Sequence, residues 1–96
     1  MPGQHDVIGF ARYRLWTLLA RASSIRQMEP KERVGANIRQ RRIELGITQE
    51  EAARRSAIHP VEFARAERAV RDLRVSTVVK IARGLEVSPA QLLEGL

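Results

Sequence analysis

The segment from Thr48 to Glu67, TQEEAARRSAIHPVEFARAE, constrains the fold more than any other part of the chain. Small and apolar residues recur along it at helical spacing and predict two short helices packed on one core. These core positions are Ala52, Ala53, Ile58, Phe63 and Ala66. Ala57 and Ile58 form a tight turn between the two helices, and Pro60 suits the first position of the later helix of this pair. Because so short a connection brings neighbouring helices into close contact, we expect an all-α domain built around this pair.

Length and composition narrow the possible functions. The 96 residues leave room for one small domain and a terminal extension, and a core of this size would gain stability from dimerisation. The formal net charge of +6 favours a polyanionic partner, either nucleic acid or an acidic membrane surface. The absence of Cys excludes disulfides, thiolate metal sites and a Cys nucleophile, and it fits a reducing cytoplasm. His5 and His59 complete neither a metal site nor a Ser/His/Asp triad, so we expect neither an enzyme nor a cofactor.

A charged stretch near Met28 divides the chain into two parts. Pro30 disfavours helical geometry at Glu29 and suits the start of a new helix. We therefore expect an N-terminal helical extension over residues 1–29 and a separate domain over residues 30–96. In the extension, apolar residues recur at steps of three and four and predict one amphipathic helix from about Val7 to Gln27. This apolar stripe consists of Ile8, Ala11, Leu15, Leu18, Leu19, Ala22 and Ile25.

The apolar stripe of the extension has three interpretations: a helix for dimerisation or for binding a protein partner, an extra helix packed on the same domain, or a membrane-surface helix. We favour the first, because Phe10, Tyr13 and Trp16 add apolar area beyond one stripe. The uninterrupted apolar run is much shorter than the roughly 20 residues needed to span a bilayer. Asp6 does not suit a signal peptide. A simpler alternative is that Met28 is the natural translation start and the upstream residues are a translated leader.

Helix start and stop signals divide residues 30–96 into five helices. The first is expected from Glu32 or Val34 to Leu45, and Gly46 ends it in the left-handed conformation. Thr48 opens the second, because its hydroxyl can accept a hydrogen bond from the amide of the residue three positions on. That residue is Glu51, whose carboxylate is expected to reach back and complete a capping box.

The remaining helices follow the same kind of signal. Pro60 starts the third helix, which continues to about Arg68. A fourth helix closes the core with Val75, Val78, Val79, Ile81, Ala82 and Leu85. The sequence Ser88-Pro89-Ala90-Gln91 repeats the helix-start pattern and predicts a short fifth helix that stops at Gly95. This fifth helix carries Leu92 and Leu93.

The order of helices and two stretches of sequence, IRQRRIELGITQEEAA and RAERAVRDLRVSTVVKIARGLEVSPAQLL, resemble the lambdoid repressor and Cro family of XRE-type helix-turn-helix proteins. The resemblance covers about Val34 to Leu93 without a gap. It implies a five-helix lambda-repressor-like DNA-binding domain over residues 30–96 with an additional N-terminal helix. It also implies a homodimer on double-stranded DNA, with the third helix, about residues 60–68, in the major groove.

The same resemblance implies roles for individual residues. Base contacts fall at Arg65, Val61, Glu62, Ala64 and Pro60. Phosphate contacts fall at Gln49, Thr48, His59, Arg71 and Arg74, and His59 faces either a phosphate or a base edge. Arg42 and Glu67 match a largely buried ion pair, and this excludes both from the DNA contacts. Ala57 and Ala69 occupy positions where the family usually has Gly in left-handed geometry, so both are expected to be strained.

The function implied is a sequence-specific DNA-binding transcriptional regulator, a dimeric repressor, in the cytoplasm of a prokaryote or in a phage and associated with the nucleoid. One departure from the family pattern favours an alternative function. Pro60, Val61 and Ala64 stand where many family members place polar side chains, which leaves few hydrogen-bonding groups for reading bases. The alternative is an antitoxin-like or cofactor protein-binding module with the same fold and weak or non-specific DNA binding.

Overall fold

A computed structural model describes residues 28–96, and within that range the chain is all-α. Its five helices are α1 Pro30–Leu45, α2 Gln49–Ser56, α3 Pro60–Glu67, α4 Val75–Gly84 and α5 Pro89–Leu92. The predicted five-helix order is confirmed. The predicted N-terminal helix and its role in dimerisation or partner binding lie outside the described residues.

Helix α1 begins earlier than predicted. The backbone N–H of Glu29 donates to the carboxylate of Glu32 over 3.0 Å, and Pro30 occupies the first turn, where its missing N–H costs nothing. The helix therefore starts at Pro30 rather than at Glu32 or Val34. Its end is as predicted, because Gly46 adopts a left-handed φ of 67°.

Helix α2 has half of the capping box that the sequence predicted. The Thr48 hydroxyl accepts from the N–H of Glu51 over 3.1 Å, as expected. The Glu51 carboxylate, however, does not reach back. It accepts instead from Nε of Arg54 at 3.0 Å and from Nε of Arg55 at 2.9 Å. Bonds between a carboxylate and two guanidinium groups are charge-assisted and outcompete one bond to an exposed backbone amide.

The turns beside α3 require unusual backbone geometry. Ala57 and Ala69 adopt left-handed φ angles of 56° and 57°, as the resemblance implied, and Glu86 after α4 does the same at 59°. The start of α3 holds a cap that the sequence did not predict. His59 accepts a hydrogen bond at Nδ1 from the N–H of Val61 over 3.0 Å.

The core lies where all five helices meet. It consists of Val34, Ile38, Ala52, Ala53, Phe63, Ala66, Val78, Ile81, Ala82, Leu85 and Leu92, with Leu45 and Ile58 packed at its edge. Gly84 lets α4 approach α2, since a Cβ built there would lie 2.7 Å from the backbone nitrogen of Ser56. One predicted core position is wrong, because Val75 is 79% exposed, and the predicted core residue Val79 is only half-buried and lies outside the core cluster. Val75 is the first residue of α4 and therefore projects beyond its packed face.

Candidate nucleic-acid interface

Helix α3 divides its side chains between the core and solvent. Phe63 and Ala66 are buried, as the helical spacing predicted. The rest of the segment from His59 to Arg65 is exposed or, at Ala64, half-buried, and Glu67 at the end of α3 turns its side chain inward. The exposed members are His59, Pro60, Val61, Glu62 and Arg65. The buried side fixes the orientation of α3, so the other side is presented to solvent as a rigid face.

An open groove runs between this face and the segment that leads into α4. From α3 it is lined by Val61, Glu62 and Arg65, with His59 at the N-cap. The facing segment contributes Arg71, Arg74 and, from α4 itself, Ser76 and Lys80. The groove holds four cationic side chains, those of Arg65, Arg71, Arg74 and Lys80, against the two carboxylates of Glu62 and Asp72. Such a surplus of positive charge in a concave surface attracts polyanions.

Six of the ten residues predicted to contact DNA therefore meet in one groove: His59, Val61, Glu62, Arg65, Arg71 and Arg74. Pro60 lies exposed beside them on α3, and Ala64 is half-buried on the same helix. Thr48 and Gln49 lie apart from the groove lining, at the start of α2. Ser76 and Lys80 were missed by sequence reasoning. They lie four positions apart on α4 and occupy its polar side, a periodicity that the sequence does contain.

The start of α2 offers backbone donors rather than a free side chain. The first N–H groups of an α-helix have no partner within the helix, and they point toward its positive end. Thr48 satisfies the N–H of Glu51. The side chain of Gln49 is engaged within the domain, because its Nε2 donates to Oε1 of Glu67 over 2.9 Å. A phosphate at this point would thus meet the backbone N–H groups of the first turn.

Arg42 of α1 and Glu67 of α3 form an ion pair. Arg42 donates from Nε to Oε2 at 2.5 Å and from its terminal nitrogen to Oε1 at 3.2 Å, a bidentate arrangement. It also donates to the carbonyl of Ile47 over 3.0 Å. The Glu67 side chain is only 3% exposed. Both charged groups are therefore satisfied inside the domain and are unavailable to an external ligand.

A second charged cluster lies on α2. The hydrogen bonds from Arg54, followed by those from Arg55, lower the pKa of the Glu51 carboxyl from 4.5 to about 2. The same carboxylate raises the pKa of Arg54. These three groups line neither the groove described above nor a metal site. Glu51 is accordingly a structural anion at ordinary pH, and its position in the first turn of α2 suits a negative charge.

The described range, residues 28–96, contains no group of His, Asp or Glu side chains arranged to hold a metal ion. Within the same range, no helix is long and apolar enough to cross a membrane. A rigid exposed helix, a preceding helix that packs across it and a cationic groove together define a helix-turn-helix nucleic-acid-binding domain.

The sequence profile of the helix-turn-helix family matches residues 38–92, which is more than half of the chain. The protein belongs to the XRE-type helix-turn-helix family of DNA-binding transcription regulators. No curated protein sequence matches it significantly.

Several solved structures resemble the fold. The clp gene regulator ClgR from Corynebacterium glutamicum is 25% identical with a TM-score of 0.66, and the match covers 70% of this chain and 87% of that one. The restriction-modification controller protein C.AhdI from Aeromonas hydrophila is 26% identical with a TM-score of 0.62, covering 65% and 94%. A point mutant of the restriction-modification controller protein C.Esp1396I is 31% identical with a TM-score of 0.64, covering 70% and 87%.

Proposed function

We propose that this regulator binds specific DNA sequences as a homodimeric repressor and inserts α3 into the major groove. The observation that carries the proposal is the position of Arg65, exposed on α3 in the same groove as Arg71 and Arg74. One cation able to read a base thus stands beside two able to hold the sugar-phosphate backbone. As a DNA-binding regulator of this family, the protein would act in the cytoplasm of a prokaryote or in a phage.

The exposed face of α3 supplies the base contacts in this proposal. Arg65 offers two parallel donors that match O6 and N7 of guanine, a contact worth about 1–3 kcal/mol of discrimination. Glu62 accepts from N4 of cytosine. The apolar side chains contact thymine methyl groups, and Val61, which is 48% exposed, is the main one. Pro60 and Ala64 add smaller contacts of the same kind.

The remaining contacts hold the phosphates. Arg71 and Arg74 are exposed on the segment before α4 and neutralise the backbone on one side of the groove. Because Nδ1 of His59 accepts from the N–H of Val61, its proton resides on Nε2, which is then a donor for a phosphate oxygen. Thr48 and Gln49 bring the start of α2 to a second phosphate.

Dimerisation is supported by size and by the family. A domain as small as this one has a small core, and association of two copies would stabilise it. A two-fold dimer would place two α3 helices on the DNA with half-site centres about 34 Å apart, near one helical turn. The operator would then be roughly palindromic.

Selection from random oligonucleotides on the purified full chain tests the proposal. We expect one enriched palindromic motif, and we expect Arg65→Ala to relax selection at one base position of each half-site. Arg71→Ala is the matched control, since it removes an equal charge from a phosphate contact and should weaken binding to all sequences alike. Uniform loss of affinity in both variants would remove Arg65 from base reading.

The apolar character of α3 favours a second candidate function. Pro60 and Val61 are exposed but cannot donate or accept hydrogen bonds through their side chains, so few groups remain for base recognition. The fold would then serve as an antitoxin-like or cofactor module that holds a protein partner. Salt-sensitive binding without an enriched motif in the same selection would favour this candidate over the repressor.

A further inference from the structure

A second groove adjoins the one beside α3 at Asp72 and Leu73 and lies where the start of α1, the start of α4 and the chain end after α5 come together. Its apolar lining includes Pro30, Val34, Val75, Val79, Leu93 and Leu96. Its volume is about 430 Å³, far larger than the roughly 30 Å³ that one water molecule occupies. The groove can therefore accept several side chains. No residue predicted to contact DNA lines it.

The lining is unusually exposed for apolar side chains. Val75 is 79% exposed, Leu96 65% and Leu93 41%. Among the lining residues, all in the described part of the chain, only Lys31 and Asp72 carry charge. A contiguous apolar patch of this kind on a small domain marks a surface that something else covers.

The chain itself supplies a segment of suitable chemistry. Residues 1–27 immediately precede the described part, and their apolar stripe from Ile8 to Ile25 recurs at helical spacing. Most of the arginines in this segment fall off the stripe, so burying the stripe would leave their charges in water. The segment and the groove therefore match chemically, because each has an apolar face that burial would stabilise.

The connection between segment and groove is short. The segment ends at Gln27, and only Met28 and Glu29 separate it from Pro30, which lines the groove. Connections of about 2–5 residues are typical between antiparallel helices that pack against each other. So short a tether also gives the segment a high effective concentration at the groove of its own chain, compared with that of a second copy.

We propose that residues 7–27 form an amphipathic helix whose apolar stripe packs into the groove between α1, α4 and α5 of the same chain. This corresponds to the second interpretation of the segment, an extra helix on the same domain, rather than to the dimerisation helix favoured from sequence. The helix extends the small core and covers Val75, Leu93 and Leu96. The proposal does not depend on DNA binding.

Fluorescence of the full chain tests this packing, since Trp16 is the single tryptophan and the chain has no Cys. A nitroxide is attached to Val75→Cys or to Leu96→Cys, two exposed groove positions. The matched control is Ile43→Cys, which is 52% exposed on α1 and does not line the groove. We expect a marked loss of Trp16 emission with at least one groove label, little loss with the control, and no dependence on protein concentration.

Two outcomes would overturn the proposal. The first is equal quenching by groove and control labels, or none, in labelled chains whose helical circular dichroism is unchanged. The second comes from mixing unlabelled chain with labelled chain that also carries Trp16→Phe. Quenching in that mixture, rising with concentration, would show that the segment occupies the groove of a second copy. Packing within one chain is supported if Trp16 emission is unchanged in the mixture but is quenched in the chain that carries both Trp16 and the groove label.

Discussion

Gln49 donates a hydrogen bond from Nε2 to Oε1 of Glu67 over 2.9 Å. The same carboxylate also accepts two bonds from Arg42, so one buried anion at the end of α3 connects to α1 and to the start of α2. These bonds to α1 and α2 fix the angle at which α3 is presented. The pair excluded from DNA contact is thus coupled, through Gln49, to the point where α2 is proposed to meet a phosphate.

Removing Arg42 should destabilise the domain strongly. Arg42→Met leaves the carboxyl group of Glu67, whose side chain is 3% exposed, without its ionic partner, and the loss of one partner of a buried pair costs about 3–5 kcal/mol. The double variant Arg42→Met with Glu67→Leu should recover much of this loss, because no charge is left buried. Urea unfolding measures both values. A double variant as unstable as the sum of the two single variants would contradict the explanation.

Gly84 should tolerate no side chain. A Cβ at this position would lie 2.2 Å from Oγ and 2.7 Å from the backbone nitrogen of Ser56, so α2 and α4 would have to separate. We expect Gly84→Ala to lower the free energy of unfolding by about 3 kcal/mol, at the upper end of the usual cost of overpacking.

The variant Ser56→Ala distinguishes the effect of the Ser56 hydroxyl on a side chain at position 84 from the effect of the Ser56 backbone nitrogen. The Ser56 hydroxyl is buried without a hydrogen-bond partner within residues 28–96, so its removal alone should be close to neutral or stabilising. Combined with Gly84→Ala it should restore only part of the stability, because the backbone nitrogen still blocks the methyl group. Full recovery in thermal or urea unfolding would show that the hydroxyl alone sets the limit.

Acid should weaken the cluster on α2. The pKa of Glu51 falls from 4.5 to about 2 on folding, so its contribution to stability is present above 4.5 and is lost as the pH drops through about 2. Carboxyl-carbon NMR titration of the folded protein measures this pKa directly. In Arg54→Gln we expect it to rise toward 4.5, since Arg54 is the main cause of the shift.

A charge-matched variant shows whether the pKa of Glu51 is lowered by direct hydrogen bonds or by the overall positive charge of the protein. Arg39→Gln removes the same charge from an exposed position on α1. It should leave the titration of Glu51 nearly unchanged, because charges outside hydrogen-bonding range are largely screened by water and salt. Equal shifts in the Arg39 and Arg54 variants would assign the low pKa to net charge instead.

The sequence predicted those features that depend on near neighbours. Gly46, Thr48 and Ser88 mark helix ends by interacting with backbone groups within a few residues, and each behaves as expected. The start of α1 was placed too late because Glu29 is an uncommon residue before a helix, although its N–H bonds to Glu32. The Glu51 carboxylate was misassigned because several long side chains compete for it, and local sequence does not decide that competition.

Features that join distant residues required more than local signals. The ion pair of Arg42 with Glu67 spans 25 positions and was implied only by the family resemblance. The cationic groove depends on which face of α4 turns toward α3, and that is decided by packing of the core. Ser76 and Lys80 were missed for this reason, since their spacing places them on one face of α4 but does not say what the face meets.

The two lysines of the chain offer a test of whether the cationic groove beside α3 binds DNA. Lys80 lines the groove beside α3, whereas Lys31 lines the apolar groove at the start of α1. If Lys80 neutralises a phosphate, Lys80→Ala should weaken binding to all DNA sequences and reduce the slope of log affinity against log salt by about 0.9. Lys31→Ala removes the same charge and should change neither the affinity nor the slope appreciably. Fluorescence anisotropy titrations over a range of salt concentrations measure both quantities, and an equal decrease for the two variants would show that only net charge matters.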